Sequence, residues 1–399
     1  MKTHFRPSSY NYLSIENLTR GGLGLPNIRN KEYDYGLYQI LNKSYPLFIF
    51  SGGKIMCRDK IQPINPIGEK KSNNPCQQRY QSWTLFAVSI FAIFFFSAAL
   101  PISESIAGEA WVANMKGANV QIIDTGSNKV VKTIPTGAGA HNVTFSPDGK
   151  LAYIANLGTN SITIIDAVSK EKLADVLTDT KAHDVAVSPD GKTAVSCNVG
   201  AGNITFIDVA SKKVTHTMAT GKKAITAIFS PDGKTLYVVN AGDANISVID
   251  VNTQKILKTF PGAKGAMAIK PNDNWSQLWV TDPTDNKLLL MNPKTGSVEA
   301  SIDVPGEPHG LVHSPDGKTV YVGQRKLNQI SMIDTASRKI VKTTPIGQRP
   351  DMMAISSDGK TVFVAIRDEN KLAVVAASDL SLTTKVDTGG ETHGVAYRD

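Results

Sequence analysis

Apolar and polar positions from residue 108 onward recur in blocks. One block reads HNVTFS at 141–146, a tight SPDGK turn, LAYIAN at 151–156, SITIID at 161–166 and KLADVL at 172–177. Short apolar runs of this length, bounded by turn residues, predict strands rather than helices. The turn returns at Ser146, Ser188, Ser230, Ser314 and Ser356. A degenerate copy in IKPNDNW puts Lys270 in the serine's place, giving steps of 42, 42, 40, 44 and 42 residues. The third run of the block starts at Val120, Ile162, Ile204, Ile246, Leu288, Ile330 and Leu372, so seven four-stranded units are expected.

A four-stranded sheet of this size exposes apolar faces that it cannot bury alone, and a circular stack of copies solves the problem. The predicted fold is all-β, a seven-bladed β-propeller over residues 108–399. Its ends carry the closure. GEAWVAN at 108–114 matches the second strand of a unit, and THGVAYRD at 392–399 matches a first strand, with Tyr397 one 42-residue step beyond Ile355. The C-terminal strand is therefore expected to complete the first blade, with Val395 opposite Val112, leaving no open edge there.

The stretch SPDGKTLYVVNAGDANISVIDVNTQKILKTF at 230–260 resembles the YVTN-type repeat of YncE-like seven-bladed β-propellers, akin to the haem-binding propeller of dissimilatory nitrite reductase. The resemblance spans residues 108–399 and is specific for the fold. It implies no single activity, because such propellers include lactonases, electron-transfer partners and proteins with no known activity.

Composition changes the picture mainly ahead of the repeats. Residues 85–100, LFAVSIFAIFFFSAAL, carry no charge and lead to a short-side-chain site at Ser105-Ile106-Ala107, so residues 84–107 read as a signal peptide. The run is shorter than the roughly 18 apolar residues of a bilayer span. A periplasmic or secreted protein follows; the alternative is inner-membrane anchoring through residues 85–100. Residues 1–83 form a leader without clear period, either a start assigned too early, with Met56 a later one, or a cytoplasmic segment. The net charge of +8 is concentrated here: residues 1–107 hold 12 Lys+Arg and 6 Asp+Glu, against 31 and 29 in the remainder. The nearly neutral body gives no support for nucleic-acid binding. Cys197 alone lies in the body, where it reads as a small packed side chain.

Candidate chemistry gathers at one slot. Five residues before each reference position stand His393, His141, His183, Ile225, Gly265, His309 and Asp351, expected around one mouth of the central channel. Imidazoles with a carboxylate are donors for Cu, Fe or Zn, or for a haem-like group. The alternative bonds each histidine to its own blade's backbone, across a mouth too wide for a shared ion. Arg325, Arg349 and Arg367, from blades six and seven on the same face, are candidates to receive an anion such as a carboxylate. His216 and His313 fall off the slot and are expected at solvent or edge positions. The lysines of the SPDGK turns are expected to form a solvated rim with the aspartates of the ID pairs. No phosphate loop, Cys-pair motif or nucleophile elbow is present in the sequence. The expected function is non-catalytic binding of a ligand, metal or periplasmic partner protein by a monomer. Its rivals are a metal- or haem-dependent redox protein and, more weakly, a propeller lactonase.

Overall fold

The computed structural model describes residues 108–399, together with the backbone of a short antiparallel hairpin, Phe48–Ser51 and Lys54–Cys57. The expected leader and signal segments otherwise lie outside the described residues. Among the described residues no helix is long and apolar enough to cross a membrane.

Residues 108–399 fold into seven antiparallel four-stranded sheets. In the second blade the strands run from the axis outward as Ala140–Phe145, Leu151–Asn156, Ser161–Asp166 and Glu171–Leu177. Burial follows this order. Leu151–Asn156 is buried at five of six positions, whereas Glu171–Leu177 buries only Val176 fully. A middle strand lies between neighbouring blades on both faces, so its apolar run is nearly continuous instead of alternating. Interblade clusters form the core: Trp111, Ile122, Val143 and Ile154 join blades one and two, and Val195, Phe206, Ala227 and Val238 join blades three and four. Each fully buried aliphatic or aromatic side chain contributes about 1.5–3 kcal/mol before chain entropy is counted. Cys197 belongs to this packing with no exposed surface, and burial pushes its thiol well up.

The ring closes as expected. Thr392–Arg398 pairs with Glu109–Asn114, and Val395 lies opposite Val112. The first sheet is thus assembled from strands at the two ends of the propeller.

The fifth blade corrects the expected spacing. Ser230 donates its N–H to Thr235 O at 2.8 Å and accepts the Thr235 N–H on Oγ at 3.0 Å. Asn272 does the same with Gln277, at 3.0 and 2.9 Å. Asn272, not Lys270, therefore holds the serine's place, because an amide oxygen accepts this bond as a hydroxyl does. Trp275 takes the positive φ of 55° that Gly233 takes at 69°. The repeat then runs at an even 42 residues, and the fifth ring-slot residue is Met267 rather than Gly265. Two peripheral expectations change as well. Lys150, Lys318 and Lys360 pair with the aspartates of their own turns, Asp148, Asp316 and Asp358, at 3.4, 3.6 and 3.0 Å. His313 packs edge-on against Trp279, with ring centroids 5.3 Å apart, and burial lowers its pKa to about 4.

Candidate functional site

A β-bulge sets the ring residue of the axial strand in six of the seven blades, all but the fifth. Ala182 pairs with Asn198 and Asp184 with Cys197, which leaves His183 as the extra residue. The same irregularity falls between Ala140 and Val143, Pro308 and Leu311, Pro350 and Met353, and along the closing strand opposite Val112 and Asn114. A bulge re-aims the side chain it frees. The residue two positions earlier has positive φ in each of these blades: Gly139, Lys181, Glu307, Arg349 and Glu391.

Three of the histidines form a directional chain between blades. Nδ1 of His393 bonds the carbonyl of His141 at 3.0 Å, Nδ1 of His141 that of His183 at 2.9 Å, and Nδ1 of His183 that of Ile225 at 2.9 Å. These bonds run to the next blade, which corrects the own-blade alternative. A carbonyl only accepts, so Nδ1 carries the proton and the neutral ring presents its lone pair at Nε2. Ring centroids lie 3.6 Å apart for His141 and His393 and 4.0 Å for His141 and His183. The mouth is thus narrow rather than wide. Gly394 permits the approach, since a Cβ there would stand 2.4 Å from the His141 carbonyl oxygen. Burial holds His141, His309 and His393 well below the usual imidazole range; neighbouring positive charges add to the effect at His141 and His393, whereas the Asp351 charge opposes it at His309. His183 is also lowered by burial, with Asp184 opposing.

Asp351 closes the other side of the mouth and has no exposed surface. His309 Nε2 lies 3.3 Å from its Oδ1, and His393 Nε2 lies 3.5 Å from its Oδ2. One donor atom from each of His309, Asp351 and His393 lies within 4.8 Å of the others. Arg325 begins a 3-10 turn at the end of its blade's second strand and directs Nε to Asp351 Oδ1 at 2.8 Å, with Nη2 on the same oxygen. Burial lowers the Arg325 pKa, and the Asp351 charge opposes this. Arg367 starts the equivalent turn of the seventh blade. It pairs with Glu391 and brings Nη1 to 3.5 Å from Asp351 Oδ2. Even so, Asp351 Oδ2 and His309 Nδ1 have no hydrogen-bond partner among the described residues.

The five ring-slot donors, with Arg325 and Arg367, therefore meet at one place. Arg349 does not join them: its side chain is 43% exposed and lies 3.8 Å from Asp368. Sequence reading missed Glu307 and Glu391, which lie beside Arg325 and Arg367. The signal was available, since both stand two residues before a ring slot. In this arrangement neutral imidazoles and a buried carboxylate can ligate a cation, or hold and pass a proton.

No curated protein matches the chain. Among solved structures, hydrazine synthase of Kuenenia stuttgartiensis matches with a TM-score of 0.62 at 20% identity, covering 68% of this chain and 92% of that one. The periplasmic gluconolactonase PpgL of Pseudomonas aeruginosa gives 0.64 at 17%, covering 73% and 99%. The dihydro-heme d1 dehydrogenase NirN, in complex with DHE, gives 0.58 at 14%, covering 74% and 76%. At these identities the likeness is one of fold. A YNCE-like β-propeller family model matches residues 111–232, and the seven-bladed β-propeller family named Lactonase matches residues 175–387. With seven closed sheets and more than half its length matched, the chain belongs to this lactonase-type, YncE-like family of seven-bladed β-propellers.

Proposed function

We propose that the protein is a periplasmic or secreted binding propeller that holds a first-row transition metal at its histidine mouth and carries out no catalysis of its own. The observation that supports this reading best is the buried Asp351 carboxylate, whose Oδ2 makes no hydrogen bond among the described residues, set beside the Nε2 atoms of His309 and His393 from two other blades. A buried carboxylate oxygen that makes no hydrogen bond and is met only by the Arg367 guanidinium at 3.5 Å retains part of its desolvation cost, which a bound cation removes. His309 Nε2, Asp351 and His393 Nε2 are the ligands of this reading, with His141 stacked beside His393. The Nδ1 bonds of His393 and His141 serve it further, because ligating imidazoles are commonly fixed through the other ring nitrogen. Such nitrogen and oxygen donors suit Zn, Cu or Fe. Arg325 anchors the carboxylate.

The test is metal analysis of the purified protein after separate loading with Zn, Cu and Fe salts. One equivalent that is lost in His393→Ala and in His309→Ala supports the reading; no retained metal in the wild type overturns it. A second reading, lactone hydrolysis, is favoured by the family match over residues 175–387. A lactone screen that stays at background removes it. A haem-like redox group, the remaining rival, predicts a visible absorption band upon loading.

A further inference from the structure

One residue beyond the histidines, the same strands build a second, chemically different ring. Its residues in blades two, three and four are Asn142, Asp184 and Thr226, again 42 residues apart. Asn142 Nδ2 donates to Asp184 Oδ1 at 3.1 Å, and Thr226 Oγ1 donates to Asp184 Oδ2 at 2.6 Å. Since the carboxylate only accepts, the Asn142 amide is oriented: nitrogen toward Asp184, oxygen away. That oxygen has no partner among the described residues, although Asn142 is only 7% exposed. Asp184 makes no ion pair within 4.0 Å among the described residues. This arc therefore presents a negative charge, with the Thr226 hydroxyl and one of the two Asn142 amide hydrogens committed to Asp184.

All three residues line a cavity of about 320 Å³ that extends along the axis to the turns at Pro189 and Trp275. Its far wall differs in kind: Met267, Met352, Leu311 and Val395 supply thioether and hydrocarbon surface. Lys270 is the cationic side chain in the lining, near the turns. The volume lies at the lower end of the range for small-molecule pockets. Acceptors at one end and an apolar wall facing them call for a ligand with N–H donors and positive charge on a short hydrocarbon body.

We propose that this channel cavity is a binding site for a small primary alkylammonium, separate from the histidine mouth. The ammonium sits against Asp184, and the alkyl chain lies along Met267 and Met352. Charge neutralisation at Asp184 favours the cation over its neutral isostere.

Calorimetric titration of the full chain with n-butylammonium chloride, n-butanol and potassium chloride tests this. The expected result is saturable one-to-one binding of n-butylammonium, at least tenfold weaker binding of n-butanol, and at least tenfold loss in Asp184→Asn. Binding of potassium as tight as that of the amine, equal binding of the alcohol, or undiminished binding in a folded Asp184→Asn overturns the proposal. If that variant does not fold, methyl NMR of the wild type decides: the Met267 and Met352 resonances shift saturably with n-butylammonium, and unmoved resonances overturn it.

Discussion

Six of the seven blades are written with two slots five residues apart, the first blade having Arg398 at the turn position, and the two slots have opposite histories of use. The turn slot holds Ser146, Ser188, Ser230, Asn272, Ser314 and Ser356, and its side chain does the same work each time, accepting the N–H five residues on at 2.9–3.0 Å. The ring slot holds histidine in four blades, aspartate in one, and Ile225 and Met267 in the remaining two. Each slot's own backbone geometry recurs from blade to blade, so what differs within a slot is what surrounds the side chain. A turn side chain meets only its own blade, whereas a ring side chain meets its neighbours' and is buried with them. Uniformity therefore marks a local structural device, and variation at an equivalent buried position marks chemistry shared by the whole ring.

That contrast is broken most severely by Asp351→Ala, which leaves the Arg325 guanidinium buried beside a lost partner. A loss of about 3–5 kcal/mol is expected in urea unfolding. Gly394→Ala comes next. Its Cβ meets backbone rather than a movable side chain, so about 1–3 kcal/mol should be lost, together with a weakened His393 to His141 bond visible in imidazole NMR shifts.

Acid sharpens the comparison further. The folded pKa values of His141, His309 and His393 lie well below 6.5, so the unfolded chain takes up protons first as pH falls. Their contribution is intact above pH 6.5 and declines below it, by up to about 1.4 kcal/mol per pH unit for each group. Denaturation midpoints measured from pH 7 to 5 should fall, and His141→Gln should flatten the slope. The turn slot should yield least. Ser230→Ala removes one accepted and one donated bond at a largely solvated turn, and should cost about 1 kcal/mol without altering the acid slope.

Much of the fold was legible in the sequence because the repeating unit writes its turns and strands with local residues. Ser-Pro-Asp-Gly predicts its own geometry, and the match of THGVAYRD to a first strand predicts the pairing of Val395 with Val112. Asn272 escaped because an amide replaced a hydroxyl in an otherwise altered turn, which moved the fifth ring residue by two places. At the mouth, the ring histidines and Asp351 were legible through spacing alone. The partner of each Nδ1 was not, since a bulge and a neighbouring blade decide where an imidazole points. Nor was the fate of the arginines. Arg325 and Arg367 open 3-10 turns that carry them inward, while Arg349 sits in the left-handed backbone position ahead of its strand and stays half-exposed.

Closure of the first sheet also times the maturation of the mouth. Thr392 and Asn114 meet across 278 residues of chain, a separation whose search is slow compared with forming any hairpin inside a blade. His393 arrives on that late strand. During synthesis the other blades can stack while the imidazole arc still lacks one member, so a nascent chain should acquire its complete donor set only once the circle has locked.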